Sequence, residues 1–180
     1  MYRLVFVLAF FANLASAATI DLSGSVIDPF ASSARARVFV FVRTDCPITN
    51  RYAPELTHLV QRFPHARVDW WLVYADPDES PRHIRDHVAE YGFPGTPIRD
   101  PQQELVGRSH VNVAPEAAVF DASGRLMYHG RIDDRWIDFG KARNSVQTHD
   151  LETAIAAVLA GTAVPQPKTR AVGCSLADLK

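Results

Sequence analysis

Cysteine is scarce in this chain: its 180 residues contain only two, Cys46 and Cys174. Two thiols exclude a small scaffold held together by several disulfides and a zinc site built from four thiolates. An excess of charge of one sign is also lacking, because 19 basic residues face 20 acidic ones and the net charge is −1. We therefore expect no dominant phosphate-binding surface and no nucleic-acid partner. No glycine-rich phosphate loop, Gly-x-Ser-x-Gly elbow or His-Glu-x-x-His motif is present, and we expect no cofactor.

The N-terminus has the pattern of a secretory signal peptide. Arg3 precedes an apolar run over residues 4–12, and the small residues Ala15, Ser16 and Ala17 follow. This order predicts a signal peptide over residues 1–17, cleaved between Ala17 and Ala18. The alternative is a membrane anchor, but the apolar run is shorter than the ~20 residues of a comfortable span. We expect a periplasmic or secreted protein without stable membrane insertion after cleavage.

The mature chain alternates apolar runs with helical patterns. Residues 37–42 and 68–74 are typical of buried strands, and residues 116–120 and 126–129 indicate a hairpin. The predicted helices are 47–63, kinked at Pro54; 82–91, with Ser80 as N-cap; a short one over 102–109; and 149–159, capped by Thr148. Residues 92–97 are predicted to form a turn-rich connection. This order predicts an α/β three-layer sandwich over residues 18–161, with helices on both faces of a mixed sheet and a tail over 162–180.

Two segments carry a resemblance to a known family. In residues 45–54 a cysteine, Cys46, ends the first strand at the predicted helix N-cap, and Pro54 lies further along that helix. Val113-Ala114-Pro115 precedes the predicted hairpin. Both segments resemble the thioredoxin superfamily, in its nucleophilic cysteine and in its cis-proline loop. The segments 46–47, 50–55 and 130–135 look closest to the exported redoxin branch, related to alkyl hydroperoxide reductases and thiol-specific antioxidants.

The resemblance implies that Cys46 is a redox nucleophile and that a cis peptide bond precedes Pro115. A helix N-terminus favours the thiolate form, which attacks a disulfide sulfur or a peroxide oxygen. The substrates are then protein or small-molecule thiols and disulfides, and peroxide. We also expect Arg43 and Arg51 to add positive charge near this thiol and Asp45 to oppose it. The alternative for Cys46 is a small buried apolar residue.

The chain departs from the family pattern at two positions. Thr49 stands where the second cysteine of a Cys-x-x-Cys pair would lie, so a local dithiol is absent. Position 43 is arginine and Thr44 is displaced by one from the threonine that peroxiredoxins place three residues before their cysteine. Cys174 is then the available resolving thiol, if the tail folds back over the sheet. Its alternative is an incidental exposed thiol.

The seven histidines, together with the two cysteines, allow metal binding as a second function. A copper-binding, metallochaperone-like module would use Cys46, Cys174 and a histidine, since soft thiolates and imidazole suit Cu(I). His83 and His87 have helical i, i+4 spacing, but we interpret their segment as a solvated surface. His110 either approaches Cys46 or lies in a loop or at a helix end. We interpret Asp133 and Asp134 as turn residues. Function is thus predicted as thiol-disulfide oxidoreductase or thiol peroxidase-type chemistry, with copper binding as the alternative. A degenerate thioredoxin fold that serves only for interactions is a third possibility.

Overall fold

The computed structural model describes residues 19–177, so the predicted signal peptide and its cleavage site lie outside it. The strands are β1 (Ala36–Val42), β2 (Val68–Tyr74), β3 (Thr96–Arg99), β4 (Val113–Ala114), β5 (Glu116–Asp121), β6 (Leu126–Gly130), β7 (Trp136–Asp138), β8 (Lys141–Ala142) and β9 (Cys174–Ser175). The helices are α1 (Pro47–Arg51), α2 (Ala53–Arg62), α3 (Pro81–Tyr91), α4 (Glu104–Ser109) and α5 (Asp150–Ala160). Within residues 19–177, no helix is long and apolar enough to cross a bilayer.

The central sheet is mixed, as the sequence predicts. Its strand order is β3-β2-β1-β5-β6. β1 pairs in parallel with β2, and β2 in parallel with β3. The hairpin β5–β6 joins the other side of β1 in antiparallel orientation. The parallel half therefore comes from two strand-helix-strand crossovers, and the antiparallel half from one short turn.

Strand β1 supplies both sides of the core. All seven of its residues are buried, because β1 lies between two other strands and both of its faces are covered. Val38, Val40 and Val42 belong to a cluster that also contains side chains of α1, α2, α3 and α5. Phe39 and Phe41 alternate with them and belong to the opposite cluster, which contains Leu105 of α4. The continuous apolar run is thus a consequence of helices on both faces.

The helix predicted over residues 47–63 is interrupted. Helix α1 ends at Arg51, and α2 starts at Ala53 after Tyr52. Pro54 has no N–H with which to bond the carbonyl of Asn50, so the helical ladder cannot continue through this point. The predicted kink is therefore confirmed as a break. It leaves α1 as a short helix that carries Cys46 at its N-cap.

Two predictions of secondary structure are wrong. The connection predicted over residues 92–97 contains the start of β3. β3 is an edge strand, and Pro97 is tolerated there because backbone N–H groups on the open side of an edge strand have no neighbouring strand to bond. The last helix begins at Asp150 with His149 as its N-cap residue, so Thr148 does not cap it. The hydroxyl of Thr148 instead donates a hydrogen bond to Asp150 Oδ2 at 3.0 Å.

The tail lies against the sheet. The N–H of His129 in β6 donates to the carbonyl of Pro167 at 3.0 Å, and the N–H of Thr169 donates to the carbonyl of His129 at 3.2 Å. Gly130 allows this close approach. With φ of +147°, it would place a Cβ 2.2 Å from Thr169 Oγ1 and 2.6 Å from the Thr169 carbonyl oxygen. The tail thus extends the β6 edge before it turns towards β4.

We predict that Gly130→Ala destabilises the protein by about 2–3 kcal/mol, because the new methyl collides with backbone atoms and the φ angle is strained for alanine. Denaturant unfolding measures the loss. Gly107→Ala is the matched control: it lies in α4 with open space around its Cβ position, so its effect should stay within about 1 kcal/mol. Equal effects of the two substitutions would contradict the proposed close contact.

Candidate active site

Cys46 lies at the end of the connection between strand β1 and helix α1. It is the N-cap residue of α1, with φ −94° and ψ 112°, and Pro47 follows at the first helical position. Its N–H donates to the carbonyl of Arg43 at 3.3 Å. Its side chain is 0% exposed, and the thiol donates to the carbonyl oxygen of Ala114 at 3.2 Å. The predicted N-cap position of Cys46 is confirmed, and its thiol is completely covered.

The loop that faces Cys46 contains the predicted cis peptide bond between Ala114 and Pro115. Ala114 is fully buried in strand β4. Glu116 fastens this loop: its Oε2 accepts the N–H of Asn112 at 2.8 Å and that of Val113 at 3.3 Å. Burial raises the pKa of the Glu116 carboxyl above its ordinary value, while the two N–H donors act in the opposite direction. Glu116 therefore holds the loop whose carbonyl receives the Cys46 thiol.

Cys174 lies beside Cys46. Strand β9 pairs antiparallel with β4, and Cys174 is the residue opposite Ala114. Both thiols are free. Burial raises the pKa of Cys174 to about 12, and the adjacent Cys46 adds to the rise while Arg43 opposes it. The structure therefore brings together the two cysteines, which are separated by most of the mature sequence, around the Ala114 backbone.

Residues 172–176, which we call the strap, are held by two hydrogen bonds at the C-terminal end of β9. Arg43 Nη1 donates to the carbonyl of Ser175 at 2.7 Å. The N–H of Leu176 donates to the carbonyl of Asn112 at 2.9 Å, and its side chain is 1% exposed. A Cβ on Gly173 would lie 2.2 Å from the carbonyl oxygen of Ala114. The strap covers the site closely enough that only glycine fits at position 173.

The charged residues near Cys46 have their own partners. Arg43 pairs with Asp45 at 2.8 Å, and this hydrogen bond lowers the pKa of Asp45. The guanidinium of Arg51 lies 5.6 Å from the centre of the Trp136 ring. The hydroxyl of Thr44 donates to Glu79 Oε2 at 2.6 Å. Arg43 is therefore the predicted cation that contacts the site, through the strap.

Thr49 occupies the position expected from the sequence, one turn along α1. It is fully buried, and its hydroxyl has no hydrogen-bond partner within the described residues. Its backbone carbonyl accepts the N–H of Tyr52 at 2.9 Å. A threonine hydroxyl has no redox chemistry of its own, so Thr49 leaves Cys46 without a neighbouring thiol in its helix.

The two histidines with helical i, i+4 spacing have different surroundings. His83 pairs with Glu79 at 2.5 Å. His87 is buried, and its ring nitrogens contact Tyr74 Oη at 2.9 Å and Asn50 Oδ1 at 2.8 Å. The interpretation of both as solvated is wrong for His87, because it lies on the apolar stripe of α3. Burial lowers the pKa of His87.

The predicted copper site lacks its third ligand in the part of the chain that the structure describes. Residues 19–177 contain no cluster of three or more histidine, cysteine or acidic residues suited to a metal ion. His110 is the C-cap residue of α4, and its ring neighbours that of His129 at 6.1 Å. Its position is thus at a helix end. Cys46 and Cys174 are left as a pair of adjacent thiols.

Two buried acidic residues, Asp133 and Asp134, serve the turn after β6. Asp133 accepts a hydrogen bond from the Tyr52 hydroxyl at 2.6 Å and from the N–H of Arg135 at 2.9 Å. Asp134 accepts the N–H of Gln147 at 2.7 Å. Their interpretation as turn residues fits these contacts. The sequence reasoning had no signal for the contact of Asp133 with Tyr52, because the two residues are far apart in the chain.

Glu116 and His87 are structural supports of the site that the sequence reasoning missed. Glu116 directly follows Pro115 and precedes the apolar residues 117–120, and an acid at that position is a signal for a buried carboxylate. His87 follows Ile84 by three residues and so lies on the same helical face. Both signals are present in the sequence, but each is a single residue and is therefore weak.

Comparison with solved structures identifies the fold. The chain is 23% identical to an uncharacterized conserved protein of Geobacillus kaustophilus, with a TM-score of 0.73 and coverage of 88% of this chain and 86% of that one. A hypothetical protein of Sinorhizobium meliloti gives 22% identity, a TM-score of 0.73 and 88% coverage of both chains. A secreted Mycobacterium tuberculosis disulfide oxidoreductase, described as homologous to E. coli DsbE, gives 20% identity and a TM-score of 0.55, covering 77% of this chain and 94% of that one.

The protein has a thioredoxin-like α/β fold. The predicted thioredoxin-like fold is confirmed by these structural similarities. No protein-family model matches the chain, and no curated protein sequence matches it. The roles of Cys46, Cys174, Thr49 and Pro115 therefore rest on the geometry of the site.

We predict that Glu116→Gln changes how stability depends on pH. Because the pKa of Glu116 is raised in the folded state, its stabilising contribution is present below its ordinary pKa and is lost as pH rises through the raised value. The glutamine oxygen accepts the same N–H groups but does not titrate. Urea unfolding between about pH 4 and 7 should therefore show the variant gaining stability relative to wild type as pH rises. A difference that is constant with pH would contradict the raised pKa.

Proposed function

We propose that the protein is an exported thiol-disulfide oxidoreductase in which Cys46 is the nucleophile and Cys174 the resolving thiol. The observation that carries the proposal is the placement of both thiols at Ala114: the carbonyl of Ala114 accepts the Cys46 thiol, and its strand pairs with Cys174. The thioredoxin-like fold and the similarity to a secreted disulfide oxidoreductase support it. Export is supported by the signal-peptide pattern over residues 1–17.

The reaction transfers two electrons from the cysteine pair to a disulfide. The Cys46 thiol loses its proton, and its sulfur attacks one sulfur of the substrate disulfide. The substrate bond breaks, the leaving thiolate takes up a proton, and a mixed disulfide remains at Cys46. Cys174, also deprotonated, then attacks Cys46 and releases the second substrate thiol. The products are a reduced substrate and a Cys46–Cys174 disulfide, which an external thiol reductant must reduce for another turnover.

Disulfide exchange is favoured over peroxide reduction by the position of Thr44. A peroxidase of the type that the sequence resembles would need a threonine hydroxyl near the attacking sulfur. Here the Thr44 hydroxyl donates a hydrogen bond to Glu79, and the Thr49 hydroxyl has no hydrogen-bond partner among the described residues. The raised pKa of Cys174 keeps this thiol protonated in the reduced protein, which fits a resolving thiol rather than the first attacker.

We predict that Cys46→Ser abolishes reduction of a disulfide substrate and leaves the fold intact. The chemistry needs a thiolate, whereas serine at an N-cap is structurally favourable. Turnover with a protein disulfide, with peroxide as a parallel substrate, and the melting temperature are the measurements. Full turnover in Cys46→Ser would overturn the assignment of the nucleophile, and turnover with peroxide alone in the wild type would replace disulfide exchange by peroxidase chemistry.

We predict that Cys174→Ser stops the reaction at a mixed disulfide on Cys46. Mass spectrometry after one equivalent of a disulfide should show the adduct in the variant and an intramolecular disulfide in the wild type. That bond closes a long loop and should stabilise the oxidised wild type by about 5 kcal/mol in the chain-entropy model. The melting temperature of the variant should not respond to reductant. Equal melting of oxidised and reduced wild type, with two titratable thiols in both, would remove Cys174 from the mechanism.

A further inference from the structure

The strap prevents access to the proposed nucleophile in the reduced state. Cys46 is 0% exposed, and its thiol contacts Ala114, the residue with which Cys174 pairs. Val172 and Cys174 of the strap pack against the buried cluster that contains Cys46, so a disulfide in a partner protein cannot reach the Cys46 sulfur while residues 172–176 are in place. The strap must leave before the first step of exchange, and the partner then meets the surface that the strap has vacated.

The strap is bound as an extended peptide would be. Cys174 and Ser175 pair antiparallel with Ala114 and Val113. The N–H of Leu176 continues this pairing to the carbonyl of Asn112 at 2.9 Å. These are backbone contacts, so the same edge can accept another chain in the same register. Backbone pairing alone does not distinguish one sequence from another.

Two positions of the strap do depend on the side chain. Leu176 is 1% exposed and belongs to the buried cluster that contains Phe41, Leu105 and Val111. Gly173 has no room for a Cβ against the Ala114 carbonyl. The site is therefore shaped for a glycine directly before the cysteine and for an aliphatic side chain two residues after it.

We propose that the slot filled by Leu176 is a specificity site for external disulfide partners, for which the strap is a built-in competitor. The partner is a protein whose reacting cysteine lies in an extended segment of the form Gly-Cys-x-aliphatic. That segment takes the place of the strap, and its cysteine, as one half of a disulfide, is aligned with Cys46. The inference rests on the proposed role of Cys46 as the nucleophile.

The test uses full-length protein carrying Cys174→Ser, so that Cys46 is the remaining thiol, with and without Leu176→Asp to release the strap. The probes are two peptides activated as mixed disulfides with thionitrobenzoate. One copies residues 171–177, and the other carries Leu→Asn at the position of Leu176. Attack by Cys46 breaks the peptide–thionitrobenzoate bond, forms a Cys46–peptide disulfide and releases the coloured thiolate, so the release rate reports the reaction.

With the strap released, the leucine peptide should react about tenfold faster than the asparagine peptide, because only the leucine side chain is favourable in an apolar slot. Leu176→Asp should also raise the rate with a small activated disulfide about tenfold over its Cys174→Ser parent. Ala177→Asp is the matched control: it adds the same charge at the exposed neighbouring position and should leave this rate unchanged. Leu176→Ala, a milder release, should give an intermediate rate if Leu176→Asp does not fold.

The outcomes separate this inference from the proposed function. Equal rates for the two peptides at a reactive Cys46 would overturn the specificity site and leave the nucleophile in place. Unchanged rates in both Leu176→Asp and Leu176→Ala would overturn the strap as a competitor. A Cys46 that reacts with no disulfide after strap release would overturn the proposed function itself.

Discussion

The backbone of Ala114 is the point on which the whole site depends. Its carbonyl accepts the Cys46 thiol, and its strand pairs with Cys174, so one residue without a functional side chain positions both sulfurs. This works because Ala114 is fixed in two ways. It is fully buried, and the Glu116 carboxylate binds the N–H groups of the two residues before it. A loop free to shift by an ångström would separate the thiols, and the arrangement therefore needs the rigid sheet behind it.

The parts of the fold that the sequence predicts well are those with strong local signals. The run of apolar residues in β1 requires burial on both faces, and Pro47 after Cys46 fits the first position of a helix. Pro54 interrupts that helix because it lacks an N–H. These constraints act over a few residues, so one sequence is enough to place the first strand, the cysteine and the helix in order.

The parts that the sequence does not predict depend on contacts between distant segments. The strand β3 contains Pro97 and is short, and its pairing with β2 outweighs a poor local propensity. The buried positions of His87 and Leu176 depend on which surface each meets after folding. The tail carries little periodicity, because its residues are fixed by backbone bonds to β6 and β4 rather than by an apolar stripe. The sequence suggests that the tail folds back over the sheet, but it does not predict which tail residues pair with which residues of β4.

The complete burial of Cys46 has a consequence for the kinetics of the proposed reaction. A partner that must wait for the strap to leave reacts in two stages, opening and then exchange. At low partner concentration the rate follows the number of encounters. At high concentration it levels off at the rate of opening, whatever the reactivity of the partner disulfide. The hydrogen bond of Arg43 to Ser175 and the buried side chain of Leu176 hold the strap closed, so they set the same maximal rate for every partner.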